Sequence, residues 1–344
     1  MRILRPQVWL GGVAFCATTS VAFCMLSSSA PAAEMGRAPV VSGTYATVQG
    51  GYLLNDGDSV LGHGISSTGL ISGPTTETTV DARDGWFAGG SLGFASTGPI
   101  VPGLPFNRAE AYFDYFNADD GRTDTVADPA KTTLKSVDGS ALGVIGFTAT
   151  SEMHRRAYEG GVRFAFDQAV GSETSISWIV TPFVRNAREE TGTVATGTVD
   201  TAWRGASVET WQYGVTLAAE PEIWVASNIA LVGRIGGGIY GYDASGSFHS
   251  HSTAPAPDPF LADVNESASG VGFRGLLGAG VKVKLSTAMT LTGFAEADYF
   301  SHTGGASLPD NQFTSSTSSN VNTDDNWEFR AGARLSIGLG GGGN

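Results

Sequence analysis

GVGFRGLLGAGVKVKLSTAMTLTGFAEADYF, residues Gly270 to Phe300, decides the fold. Its odd positions run Val271, Phe273, Gly275, Leu277, Ala279, Val281, Val283, Leu285. Arg274, Leu276, Lys282 and Lys284 stand among the even ones. After Ser286-Thr287-Ala288 the alternation resumes, with Met289, Leu291, Gly293, Ala295, Ala297 and Tyr299 set against Thr290, Thr292, Glu296 and Asp298. Period-two alternation sends each set to one face of a β-strand, and two such runs joined by a very short link make a hairpin. One face of this hairpin carries no charge and the other carries Arg274, Lys282, Lys284, Glu296 and Asp298. Strands in soluble sandwiches average about 5–6 residues. Longer strands with an uncharged face and a charged face suit a membrane-spanning barrel, lipid outside and polar inside.

The same pattern recurs along the chain. Trp86–Phe94, Ala109–Tyr115, Tyr158–Phe166, Trp211–Ala219, Ile229–Ile239 and Trp327–Leu339 all alternate, and a first strand falls near Thr44–Leu54. Ile176–Arg185 alternates poorly and holds Pro182, which cannot donate to a ladder, so a bulge or strand end is expected there. Ala141–Phe147 is a candidate extra strand inside the polar stretch Asn117–Arg156. The expectation is all-β: a single antiparallel transmembrane up-and-down barrel of about ten strands, with eight to twelve possible. Odd-to-even connections are long and polar and even-to-odd ones short, which matches long extracellular loops and short periplasmic turns. Trp86, Phe113, Tyr115, Tyr158, Trp211, Tyr213, Phe273, Tyr299, Trp327 and Phe329 cluster at the loop-side strand ends, and Phe94, Phe164, Phe166 and Trp178 at the turn side. Two such aromatic belts are what a bilayer interface favours.

Arg2 and Arg5, the apolar run Trp9–Leu26 and Ala30-Pro31-Ala32 read as an export signal peptide over residues 1–32. Residues 33–43 follow as a periplasmic leader, 44–339 as the barrel and 340–344 as a glycine-rich tail. Both cysteines, Cys16 and Cys24, fall in the signal segment, so disulfides and thiolate chemistry are excluded from the mature chain. The net charge of −13 becomes −15 without Arg2 and Arg5, which disfavours nucleic acid as a partner.

With these features the stretch Thr44–Leu339 resembles Gram-negative outer-membrane β-barrel proteins of porin or small-barrel type. The resemblance implies outer-membrane location, contact with membrane lipids and lipopolysaccharide, and insertion by the barrel assembly machinery. Such proteins usually end on an aromatic residue read by that machinery; here Leu339 and then Gly340–Asn344 stand instead.

Chemistry is sparse. His249-Ser250-His251 could hold a metal or serve a hydrolase, but no carboxylate follows at a suggestive spacing. Asp119-Asp120 could be half of an aspartate-based surface protease, with Asp298 and His302 as the nearest partners. No catalytic residue, metal or cofactor is expected. The inward charges carry more. Centring the hairpin turn on Thr287 pairs Leu277 with Ala297, Val281 with Gly293 and, on the inner face, Leu276 with Asp298, which puts Arg274 diagonally beside Asp298. Glu296 lies one step deeper, where Arg330 or Arg334 of the closing strand can meet it. A charged constriction of Arg274, Glu296, Asp298, Arg330 and Arg334 is expected, with Arg234, Arg163, Glu159, Lys282 and Lys284 on the same inward set. The leading expectation is a narrow porin-like channel for passive diffusion of small solutes; the alternative is a non-conducting structural or adhesive barrel acting through its extracellular loops. An outer-membrane enzyme is a third class.

Overall fold

The computed structural model describes residues 43–56, 60–66, 75–126, 131–145, 148–197, 200–253, 260–311 and 318–340. The expected signal peptide and most of the leader and tail lie outside these residues. The strands, in chain order, are β1 (Gly43–Asn55), β2 (Val60–Ser66), β3 (Thr75–Val80), β4 (Asp84–Ala95), β5 (Arg108–Thr125), β6 (Lys131–Lys135) and β7 (Ala141–Ile145). There follow β8 (Thr148–Ala169), β9 (Thr174–Thr196), β10 (Thr201–Ala226), β11 (Ile229–Ser252), β12 (Phe260–Lys284), β13 (Met289–Ser307) and β14 (Asn320–Gly340).

Ten of them close a barrel in the order β1-β14-β13-β12-β11-β10-β9-β8-β5-β4, every pairing antiparallel and β1 bonded to both β14 and β4. The opening hairpin takes the register read from its sequence: Leu276 faces Asp298, Leu277 faces Ala297 and Val281 faces Gly293. The candidate strand at Ala141 exists but is no barrel stave. β7 belongs to a separate four-stranded sheet, β3-β2-β6-β7, formed by the two connections β1–β4 and β5–β8.

Pro182 neither ends its strand nor bulges it. β9 runs through it and pairs it with Val215 of β10. The cost falls on the other side, where the ladder to β8 runs to Gly161↔Phe183 and resumes at Phe164↔Val180. Gly161 is required there, because a Cβ would collide with the Pro182 carbonyl oxygen.

Strands of 22 to 26 residues exceed what a bilayer needs. About 9–11 tilted residues cross the hydrocarbon, and the lipid-facing band is about 25 Å tall. On β12 that band runs from Phe273 to Val283, all outward positions apolar or small. Its loop-side edge is marked by outward rings in contact: Trp86–Tyr115–Tyr158, Phe113–Tyr158 and Tyr299–Trp327–Phe329. Past this edge the outer face turns polar, with the Tyr213 hydroxyl donating to Asp243 at the border. Much of the polar stretch that follows Ile239 is therefore wall: β11 extends to Ser252 and β12 begins at Phe260. The last loop shortens likewise, since β13 reaches Ser307 and β14 starts at Asn320. The barrel stands well clear of the band on its loop side.

The small sheet fills this extension. Val60, Val80 and Val137 pack with Met153, Ala206, Val208, Phe248, Ala306 and Leu308, the inward residues of the protruding wall and its last loop. Leu134 and Leu142 do the same against Ala149, Ala195 and Ala202. Small residues on the wall leave the volume that the sheet occupies.

The band makes a prediction. Leu277→Arg, at mid-band on the outer face, is expected to cost about 2–4 kcal/mol of folding free energy in lipid vesicles. Ser245→Arg, exposed on the extension, is expected to stay within about 0.5 kcal/mol. Urea unfolding in vesicles measures both.

Candidate functional site in the barrel lumen

Eight strands leave an interior that side chains just fill, whereas ten leave more room. This chain fills it with long cations and rings. Inward positions bring Arg274 of β12 to within 2.6 Å of Asp298 and 3.0 Å of Glu159. Arg330 of β14 meets Asp298 at 2.9 Å and Glu296 at 3.2 Å. Glu296 also takes Arg234 and Arg334, each at 3.6 Å. All five residues of the expected constriction are thus in one connected network, and Arg234 and Glu159 belong to it. Arg163 heads a neighbouring group, 2.6 Å from Glu110 and 3.9 Å from Asp114. Lys282 and Lys284 do not join the constriction. They sit nearer the turn end, where Lys282 pairs with Glu222.

Three features escape a reading of the sequence. The first is a pairing: Arg185 of β9 and Glu328, both on the inward set in the sequence, meet across 143 residues, and Arg185 lies 3.6 Å from Glu159. The second is a set of inward rings between the cations. Phe300 lies between Arg185 and Arg274, their guanidinium carbons 4.7 and 4.9 Å from the ring centre. Phe183 takes Arg274 at 4.8 Å, Phe116 takes Arg185 and Arg330, and Phe294 takes Arg334. A cation over a ring face is attracted by the ring quadrupole, more strongly where water is excluded. The third is a gap left by a missing side chain. Gly89 faces Asp114 across β4–β5, and a Cβ there would strike the carboxylate that accepts from Gln49. Odd and even positions in the sequence signal which side chains point inward, but not which strands meet across the lumen.

The result is a tightly filled layer. Arg185, Glu159, Arg274, Asp298, Glu328 and Arg330 are all buried. The space left among Gln49, Tyr112, Glu159, Arg274 and Arg330 is about 10 Å³, at most one water. On the loop side, a chamber of about 80 Å³ separates the layer from the small sheet. On the turn side, a vestibule of about 360 Å³ opens toward the turns.

The small sheet is pinned by polar contacts as well as by its core. Arg204 of β10 is fully buried and donates to the carbonyls of Leu61, Gly62, Lys135 and Pro309, which ties three connections to one side chain. Burial pushes this guanidinium down to about 10, with Glu77 opposing the shift. His63 of β2 is also fully buried, its ring nitrogens 3.0 Å from Ser151 Oγ and 3.0 Å from Asp124.

The candidate chemical motifs come apart. Asp119 points outward to His154 at 2.7 Å, while Asp120 points inward and accepts from the Asp81 backbone N–H. Neighbours on a strand face opposite sides, so the two carboxylates form no dyad. Asp298 is committed to Arg274 and Arg330, and His302 stacks on Tyr242 and bonds Ser301. His249 faces out and does have a carboxylate, Asp263 of β12 at 2.7 Å, which a linear spacing search misses because it is a cross-strand neighbour. Ser250 points inward to Ser136. Among the described residues, no cluster of three or more metal-ligating side chains occurs.

Burial sets the outcome of two experiments. Arg185→Leu leaves Glu328 buried and uncompensated, at an expected cost of about 3–5 kcal/mol. Arg185→Leu with Glu328→Leu is expected to cost less than the single change, because the unpaired charge is gone; urea unfolding in vesicles compares them. The second concerns His63, whose imidazole is held below its ordinary value by burial more than Asp124 raises it. An undocked His63 regains a value near 6.5 and binds a proton the docked form refuses, so docking weakens as pH falls below about 6.5 and is indifferent above it. Limited proteolysis of residues 60–80 is expected to quicken between pH 7 and pH 5, and His63→Gln to flatten that response.

No family model matches the chain, and no curated protein matches it. Among solved structures, the outer membrane protease OmpT from Escherichia coli is similar at 9% identity and a TM-score of 0.41, over 86% of this chain and 96% of that one. A FadL homologue of Pseudomonas aeruginosa follows at 10% and 0.23, over 87% and 91%. The P. putida toluene transporter TodX is at 6% and 0.21, over 89% and 93%. Their likeness to this chain goes no further than antiparallel barrel architecture. With its own closed register, apolar outer band and charged interior, the chain is a ten-stranded antiparallel β-barrel of outer-membrane type.

Proposed function

We propose that this protein is a non-conducting outer-membrane barrel whose working surface is the protruding wall and its loops. The observation that carries this reading is the filled lumen: a buried layer of interlocked ion pairs and rings, with the small sheet above it. Passive diffusion needs a continuous hydrated path. The layer offers room for at most one water, and opening it would strip buried charges of their partners. The geometry therefore favours the structural or adhesive function over the porin-like channel for small solutes. It also favours a non-enzymatic one, since Asp119 and Asp120 face opposite sides of the wall.

In this reading the short turns face the periplasm and the extension faces outward, as long loops do in bacterial barrels. Export by the signal peptide, insertion by the barrel assembly machinery and residence among phospholipid and lipopolysaccharide belong to the same proposal. One feature of the extension favours a contact role. Near its tip, Val194, Trp203, His251 and Leu261 are in register on four adjacent strands. Val194, Trp203 and Leu261 are exposed, far from the lipid band. Exposed apolar groups gathered in one place mark interaction surfaces.

Planar-bilayer recording on the refolded protein tests the reading. Wild type is expected to give no steady conductance, and a variant lacking residues 57–80 is expected to stay silent because the ionic layer remains. Steady open-channel events in wild type would replace this reading with the diffusion pore, and Arg274→Glu would then shift the reversal potential toward cations.

A further inference from the structure

The vestibule on the turn side holds charges that are unevenly paired. Its lining holds the cations Arg108, Arg163, Arg234, Lys282, Lys284 and Arg334 against the carboxylates Glu110, Asp167, Glu220 and Glu296. Glu222, the partner of Lys282, and Asp114, 3.9 Å from Arg163, bring the count level, so the unevenness lies in the pairing. Glu296 is divided among three guanidiniums, those of Arg234, Arg330 and Arg334. Arg334 has no other carboxylate within ion-pair distance among the described residues and leans on the Gln49 amide oxygen and the Phe294 ring. Lys284 has no carboxylate within that distance at all among the described residues, yet its side chain is only partly exposed and lines the same cavity.

A cavity of about 360 Å³ lies within the range of small-molecule sites. Its floor is a guanidinium short of counter-charge. Its wall carries the Lys284 ammonium and the hydroxyls of Thr47, Thr290 and Ser336. Guanidiniums match the planar geometry of oxyanions, and charge-assisted bonds to them are the stronger kind. Long-range repulsion among cations in a low-dielectric funnel is relieved by an anion placed between them.

We propose that the vestibule is a binding site for a small, multiply charged oxyanion, held between Arg334 at the floor and Lys284 at the wall. The chemistry is that shared by phosphate esters and polycarboxylates. The site lies on the opposite side of the sealed layer from the contact surface and does not depend on it.

The test is calorimetric titration of the full-length refolded protein in detergent, with pyrophosphate in one arm and citrate in the other, each at constant ionic strength set with chloride. At least one arm is expected to give saturable 1:1 binding, and the stronger arm names the source. Lys284→Gln is expected to weaken it about five-fold, the loss of one part-exposed charged hydrogen bond. Lys284→Arg should restore most of it. Lys284 holds no ion pair among the described residues, so both variants should fold, and altered mobility of the unboiled protein on gels checks this. No saturable binding in either arm would overturn the proposal, as would binding that is indifferent to Lys284→Gln.

Discussion

Burial of arginine against carboxylate at the centre of the barrel is the constraint on which the rest of the molecule depends. A ten-stranded wall encloses more space than aliphatic side chains fill, and an empty apolar lumen would forfeit the packing that stabilises a core. Arginine resolves this by length and planarity: its stem spans the gap and its head reaches the opposite strand. Each buried head must then find a carboxylate and, where it can, a ring face, because an isolated buried charge costs several kcal/mol. Glu159, Asp298, Glu328 and Glu296 supply the former, Phe116, Phe183 and Phe300 the latter. The arrangement ties β8, β9, β12, β13 and β14 across the lumen.

The loop side follows a different logic. Past the lipid band the wall still needs an interior, but water now lies outside it. Many inward residues there are small, such as Ala149, Ala195, Ala202 and Ala206, and two connections fold into a sheet that takes up the volume. Arg204 is buried in this region with carbonyl partners in place of carboxylates. Its four acceptors come from three separate connections, so the sheet and the last loop dock on a common post.

The inner and outer faces are legible in the sequence because lipid outside and charge inside produce strong period-two alternation, and the hairpin around Thr287 yields its register by arithmetic alone. That register sets Arg274 beside Asp298 and places Glu296 one step deeper, within reach of the closing strand. The extension is not legible because its outer face meets water. In Asp243–Ser252 the outward residues are Asp, Ser and His and the inward ones Ala, Gly, Phe and Ser, which carries little contrast. Arg185–Glu328 and His63–Asp124 are hidden for another reason. They are contacts across the lumen or between a connection and the wall, and only the closed strand order brings them together.

Thiol accessibility reads out whether the ionic layer closes the lumen. Both cysteines of the chain lie in the expected signal peptide, so Thr290→Cys on the vestibule wall introduces a single reporter. In proteoliposomes holding the barrel with its loop end outward, a charged, membrane-impermeant maleimide added outside should leave the introduced thiol unmodified until detergent is added. Rapid modification in intact proteoliposomes would show a hydrated path through the layer, and the lumen would then be open.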